Sequence, residues 1–202
     1  MKVFTLLCVL LHAVLAFPSR NDEEVTTPAP PPYWEKAKLA RYVLHISDWG
    51  SIATISTQKK ILGLPYANVA SISDGIIGKS SSGTPYFFKS EWDISSKDMA
   101  QNPAATLLVT LAQSDICKKA GEDPMSPVCA RVMLTGNFVK VTDPKEIAEA
   151  KSYMFTRHPA MEDWPTSHGW FFAKLDLKHI QMVIPRGMTT VNVDEFYNTT
   201  LY

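Results

Sequence analysis

Apolar positions along the chain change their period several times, and the changes mark out its elements. Trp34, Ala37, Leu39, Ala40, Val43 and Leu44 fall at helical spacing with no Gly or Pro between them, which predicts a helix from Trp34 to His45 that ends near Ser47 and Asp48. Beyond Gly50 the pattern shortens. Strands are predicted over 51–57 and 67–73, the second stopped by the turn pair Asp74-Gly75. Residues 78–84 are polar and rich in Gly and Ser and read as a loop, and 85–89 as a short aromatic strand. A short helix over 95–101 is stopped by Pro103. Residues 104–112 form a near-continuous apolar run of strand length, read as buried on both faces. Two long strands follow, over 130–141 and 170–184. Between them lies a helix over 144–155, with Asp143 at its cap and Pro144 in its first turn. Several strands, a few short helices and frequent turn signals fit a mainly β fold with α decoration, a closed antiparallel barrel.

The ends of the chain set its expected compartment. Lys2 precedes an apolar run from Val3 to Leu15, and Val14-Leu15-Ala16 has the residue sizes that a signal peptidase reads, so residues 1–16 are expected to leave as a signal peptide. The run is shorter than the roughly 20 apolar residues that span a bilayer, and no later stretch is long and apolar enough to do so. Residues 17–32 combine the acidic Asn21-Asp22-Glu23-Glu24 with a Thr- and Pro-rich run to Pro32, a composition that buries no core; they are expected to be a disordered tail before one domain at 33–202.

Charge and cysteines refine this picture. The 20 basic and 20 acidic residues balance, and no basic stripe marks a nucleic-acid surface. Beyond Cys8 in the leader only Cys117 and Cys129 remain, and an even pair in an oxidising compartment reads as one disulfide. Asn198-Thr199-Thr200 is the N-glycosylation sequon.

A set of short motifs, in order, carries a family resemblance. Arg41-Tyr42-Val43-Leu44-His45 leads into Ser47-Asp48-Trp49-Gly50 and Ala53-Thr54-Ile55-Ser56-Thr57. Asn102-Pro103, Ala105-Thr106-Leu107, Leu111-Ala112-Gln113 and Cys117-Lys118-Lys119 follow. Later come Arg157-His158-Pro159, Trp164-Pro165, Ser167-His168 and the run from Trp170 to Leu175. From Tyr33 to Thr200 the chain resembles the CREG family, the cellular repressors of E-1A-stimulated genes. The resemblance implies an FMN-binding split β-barrel of the pyridoxamine-phosphate-oxidase-like type, in which two barrels form a dimer with the flavin groove between them. It also implies secretion, N-glycosylation, delivery to lysosomes by a sugar-dependent sorting or cell-surface receptor, effects on growth and differentiation, and loss of flavin binding. The dimer seam is expected to draw on Val69, Ile72 or the aromatic run Tyr86-Phe87-Phe88.

Two departures from flavin-binding relatives support that implied loss. Those relatives place a basic pair shortly before the Asn-Pro, and counting back from Asn102-Pro103 puts Ile94 and Ser95 at those positions. A phosphate needs paired charged donors. Lys97 lies two residues on, rotated about 200° from Ser95 on a helix of 3.6 residues per turn, and reads as a solvated lysine. The second departure is a long insertion between Cys117 and Cys129, where an ordinary hairpin needs only about two to five residues. Its segment Asp123, Pro124, Met125 and Ser126 is a candidate to fill the groove, and a plain surface loop is the equal alternative.

Catalytic candidates are weak. His45, His158, His168 and His179 match no short zinc motif, and Asp163, Ser167 and His168 form a conceivable triad that lacks the Gly-x-Ser-x-Gly elbow. Arg157-His158-Pro159 reads as a helix exit with satisfied polar groups. No cofactor and no metal are expected. The reading is a dimeric secreted or lysosomal glycoprotein that works through binding partners; the alternative is an FMN-dependent oxidoreductase that uses Lys97.

Overall fold

The structure, a computed structural model, describes residues 28–202. The expected signal peptide and the first part of the expected tail lie outside the described residues. Pro28 to Pro32 run irregularly against the first helix, where the Tyr42 hydroxyl donates to the Pro28 carbonyl.

Thirteen helices and strands follow in chain order, besides short 3-10 turns: α1 (Lys36–Ile46), β1 (Trp49–Ile55), β2 (Pro65–Ser71), β3 (Ser73–Ile76), β4 (Ser80–Ser90), α2 (Ile94–Gln101), β5 (Ala104–Thr110), α3 (Asp115–Lys119), β6 (Arg131–Lys140), α4 (Pro144–Arg157), β7 (Trp170–Ile184), β8 (Gly187–Val191) and α5 (Val193–Asn198). One antiparallel sheet runs β2-β1-β5-β6-β7-β4-β3, with β8 added to β7. Its first and last strands, β2 and β3, are separated in the chain by Ile72 alone. A sheet whose two outer strands are joined through one residue has to curl until its edges meet. This is the split β-barrel that the motifs imply.

Register aligns the interior. Ile52 sits opposite Leu107, Leu107 opposite Leu134, and Leu134 opposite Ile180, so four fully buried side chains form one row across β1, β5, β6 and β7. Successive residues of a strand point to opposite faces, so each such row belongs wholly to the inside. The helix α1 touches β3, β4, β5, β6 and β8 and is buried along most of its length. A second, smaller core of Tyr86, Val141, Ala150, Met154 and Met161 lies under α4. That helix starts as expected: Asp143 accepts from the backbone N–H groups of Lys145 and Glu146, and Pro144 occupies the first turn.

Several expectations change. Asp74-Gly75 is not a turn; both residues lie inside β3, and the chain reverses just beyond, where the Lys79 N–H reaches the Ile76 carbonyl. The Gly- and Ser-rich stretch from residue 80 onward is strand, because its hydroxyls find partners inside the fold: Ser81 Oγ donates to Asp74 Oδ2 and Ser82 Oγ to the Asp74 carbonyl. The apolar run at 104–112 is buried on one face only. Ala105, Leu107 and Val109 point inward, Ala104 is exposed, and a 3-10 turn begins at Leu111. Of the residues proposed for a dimer seam, Ile72, Tyr86 and Phe87 are consumed by the chain's own core, whereas Val69 stands 62% exposed.

Candidate functional site

The strand β4 ends at Ser90 and the chain turns through Asp93 into α2, and this corner holds Ile94 and Ser95, the positions expected for a vestigial phosphate site. Asp93 caps α2 by accepting from the Ser96 N–H at 2.9 Å. Ile94 is partly exposed, and Ser95 is completely buried. The Ser95 hydroxyl is the centre of a closed network. It donates to Asp93 Oδ1 and accepts from Lys89 Nζ at 3.3 Å and from Asn68 Nδ2 at 3.3 Å. Lys89 is itself buried and pairs with Asp93 Oδ1 at 3.1 Å. Asn68 Nδ2 also reaches Asp93 Oδ2. Burial pushes the Asp93 carboxyl upward, but hydrogen bonds from Ser95 and the charge of Lys89 outweigh it and hold the group below its ordinary value.

Beside this network lies a cavity of about 250 Å³ bordered by Val69, Ser71, Phe88, Lys89, Asp93 and Trp170, with Met161 and Trp164. Its aromatic wall is continuous: Phe88 stacks on Trp170 at 4.9 Å between ring centres, and Trp164 meets Trp170 at 4.9 Å. A flavin phosphate does not fit the residues beside it. One ammonium, Lys89, is available there and a carboxylate already neutralises it, whereas a phosphate carrying nearly two negative charges needs uncommitted donors.

The other predicted site residues lie elsewhere. Lys97 is exposed and borders a separate cavity. Asp123 to Ser126 form a tight turn after α3, with the Ser126 N–H on the Asp123 carbonyl and the Met125 N–H on Asp123 Oδ1; none of the four borders the aromatic-walled cavity of its own chain. Cys117 and Cys129 stand at disulfide distance, Cα to Cα 5.8 Å. Asn198 closes α5 on the surface.

The histidines are dispersed. His158 Nε2 bonds the Ile72 carbonyl at 3.0 Å, and His168 stacks on Trp92 at 4.4 Å. Ser167 and Asp163 are exposed, and among the described residues no hydrogen bond joins either to His168. Arg157 donates to the carbonyls of His45, Ser47 and Gly75, so the helix exit is saturated with bonds. What the sequence did not announce is a buried node around Asp74. His45 Nδ1 lies 2.6 Å from Asp74 Oδ1, Ser81 Oγ donates to Asp74 Oδ2, and Arg41 donates to Ser81. Here the hydroxyl sits on the carboxylate rather than on the imidazole, so the nucleophile–imidazole–carboxylate order is absent, and the node joins α1 to β3 and β4.

Comparison with known proteins agrees with this architecture. The family model for the CREG β-barrel matches residues 31–198. Protein CREG1 of Homo sapiens is 44% identical over 206 residues, covering 97% of this chain and 93% of its own. Protein CREG1 of Gallus gallus is 44% identical over 195 residues, covering 96% and 97%. Protein CREG2 of Homo sapiens is 40% identical over 164 residues, covering 81% of this chain and 56% of its own. Among solved structures, a heme binding protein from Mycobacterium smegmatis superimposes with a TM-score of 0.62 at 17% identity, over 84% of this chain and 62% of that one. The protein Atu2129 from Agrobacterium tumefaciens gives 0.61 at 20% identity, over 84% and 63%. This chain thus spans less than two thirds of either structural neighbour, and at such identities the likeness shows the fold alone.

Proposed function

Because the chain belongs to the CREG family, we propose that it is a secreted or lysosomal glycoprotein that works through binding partners and catalyses no flavin chemistry. The observation that carries this reading is the closed Lys89–Asp93–Ser95 network at the corner before α2. Charge-assisted bonds in this buried site leave Lys89 paired with a carboxylate and with no net positive charge to offer a phosphate, and Asp93 repels one. The apolar run at the start of the chain and the Cys117–Cys129 pair support an oxidising compartment. The exposed Asn198 supports a glycan that a sugar-dependent receptor reads, which a mobility shift on enzymatic deglycosylation of secreted protein checks.

Two copies form the working unit in this reading. On the outward face of β1 and β2, Ala53 and Ile55 lie opposite Ala67 and Pro65, while Trp49 and Val69 lie opposite Ser71 and Ser51. Trp49, Ile55 and Val69 stand exposed, an apolar strip with little reason to face water unless a second subunit covers it. Since the turn Asp123 to Ser126 lies away from the groove of its own chain, any groove-filling role for it belongs to the groove of the opposite copy. Titration of flavin mononucleotide into the purified protein, followed by flavin fluorescence, tests the loss of cofactor binding. No quenching is expected up to millimolar flavin; saturable quenching at micromolar concentration would restore the oxidoreductase alternative.

A further inference from the structure

The other side of α2 borders a second cavity, of about 340 Å³, that shares no lining residue with the aromatic-walled groove. Its apolar wall is Met99 with Phe138 and Phe171, the two rings meeting edge to face at 6.4 Å. Four polar residues border it, Glu91, Ser96, Lys97 and Lys140. Lys140 Nζ lies 4.8 Å over the Phe171 ring and 3.8 Å from Glu91 Oε1. Lys97 has no carboxylate within ion-pair distance among the described residues. Ser96 is 6% exposed, and its Oγ is buried with no hydrogen-bond partner among the described residues. A buried hydroxyl left unpaired is uncommon in a folded chain, and a bound ligand is one of the things that satisfies it.

We propose that this cavity binds a small organic monoanion, an aromatic carboxylate whose ring lies against Met99, Phe138 and Phe171 and whose charged end meets Lys97 and Ser96. Its size lies at the lower end of the range for small-molecule sites, and its mixture of an apolar wall with few polar groups is the usual composition of one. Charge decides the class of ligand. Lys97 and Lys140 set against Glu91 leave one net positive charge, which matches a monoanion and disfavours a phosphate dianion. The Ser96 Oγ is closed off in its present rotamer, so on binding it turns about its Cα–Cβ bond to donate to the carboxylate. This site is independent of the reading above, since a chain with or without flavin chemistry keeps it.

The test uses 2-naphthoate as probe and protein carrying 13C-methyl methionine. Titration is expected to move the Met99 methyl resonance saturably, at a Kd below about 1 mM, with the neutral analogue 2-naphthalenemethanol weaker by about fivefold or more. Lys97→Gln is expected to weaken 2-naphthoate by about threefold or more and to flatten its salt dependence, as befits a solvent-screened ion pair. Ala100→Trp, at an exposed lining position, is expected to abolish the Met99 shift while circular dichroism stays unchanged. Absence of a saturable Met99 shift in the parent overturns the proposal. So does equal affinity for the neutral analogue, tighter binding of naphthyl phosphate than of naphthoate, or an unaltered affinity in either variant.

Discussion

At the scale of single residues, Asp93 does two separable things. It caps α2 through its oxygen, which an amide reproduces, and it holds Lys89 through its charge, which an amide does not. Its folded value is depressed, so the stability it adds is present above the ordinary carboxylate value and is lost as pH falls through the folded value. Asp93→Asn is therefore expected to lower the melting temperature by a constant amount from pH 7 to pH 5. Below about pH 4 the gap to the parent should close. Thermal scans across that range check it, and a gap that widens in acid would reverse the sign assigned here. Asp93 also shows where residue-level reading stops. Counting from Asn102-Pro103 finds Ile94 and Ser95, but the partner that closes the corner, Lys89, reads only as the last residue of a strand. Pairing across a strand-to-helix corner has no periodic signature, so only the fold brings the two charges together.

Among the elements, legibility follows from how much of the signal is local. The long strands β6 and β7 and the capped helix α4 stand out because their apolar period and their end residues agree. Residues 80–84 mislead because Ser and Gly are turn residues by propensity, and only the buried Asp74 and Arg41 give their hydroxyls and carbonyls a reason to be in a sheet. Gly83 is tied to this: its φ is +75°, and a Cβ there would lie 2.3 Å from Arg41 Nη1. The strand β8 and the helix α5 are too short for a clear period. The segment between Cys117 and Cys129 is an element of another kind, held by its bridge and by local turns rather than by a ladder. Replacing both cysteines with serine is expected to cost about 3 kcal/mol in the chain-entropy view, given a sequence separation of 12. Denaturant unfolding of the double variant measures this, and a loss below about 1 kcal/mol would mean that the turn is ordered without its bridge.

For the whole molecule, the class of fold was readable because alternating strands and frequent turns leave few architectures open. Strand order was not, since pairing between distant segments leaves no mark in either one's sequence. The exposed strip on β1 and β2 belongs to this scale too. Val69→Glu puts a charge in its middle, with Ser51 opposite, and on a free surface it would be harmless. Light scattering at micromolar concentration is expected to give a dimer for the parent and a monomer for the variant. A parent that is already monomeric would remove the two-copy arrangement from the proposed function.

The single residue between β2 and β3 turns the barrel into a hoop with a clasp. Ile72 is fully buried, its N–H is held by the Asp48 carbonyl, and His158 grips its own carbonyl from outside the sheet. A hoop closed this way has a fixed circumference. Slack of one residue at the clasp would have to be taken up by the irregularity that already interrupts the β3–β4 register between Ser73 and Gly75, or else β3 would slide against β4 by one place and exchange its inner and outer faces. The barrel thus carries a long, disulfide-tied insertion on its rim, while an extra residue where its two ends are fastened would set the register of a whole strand against the bulge beside it.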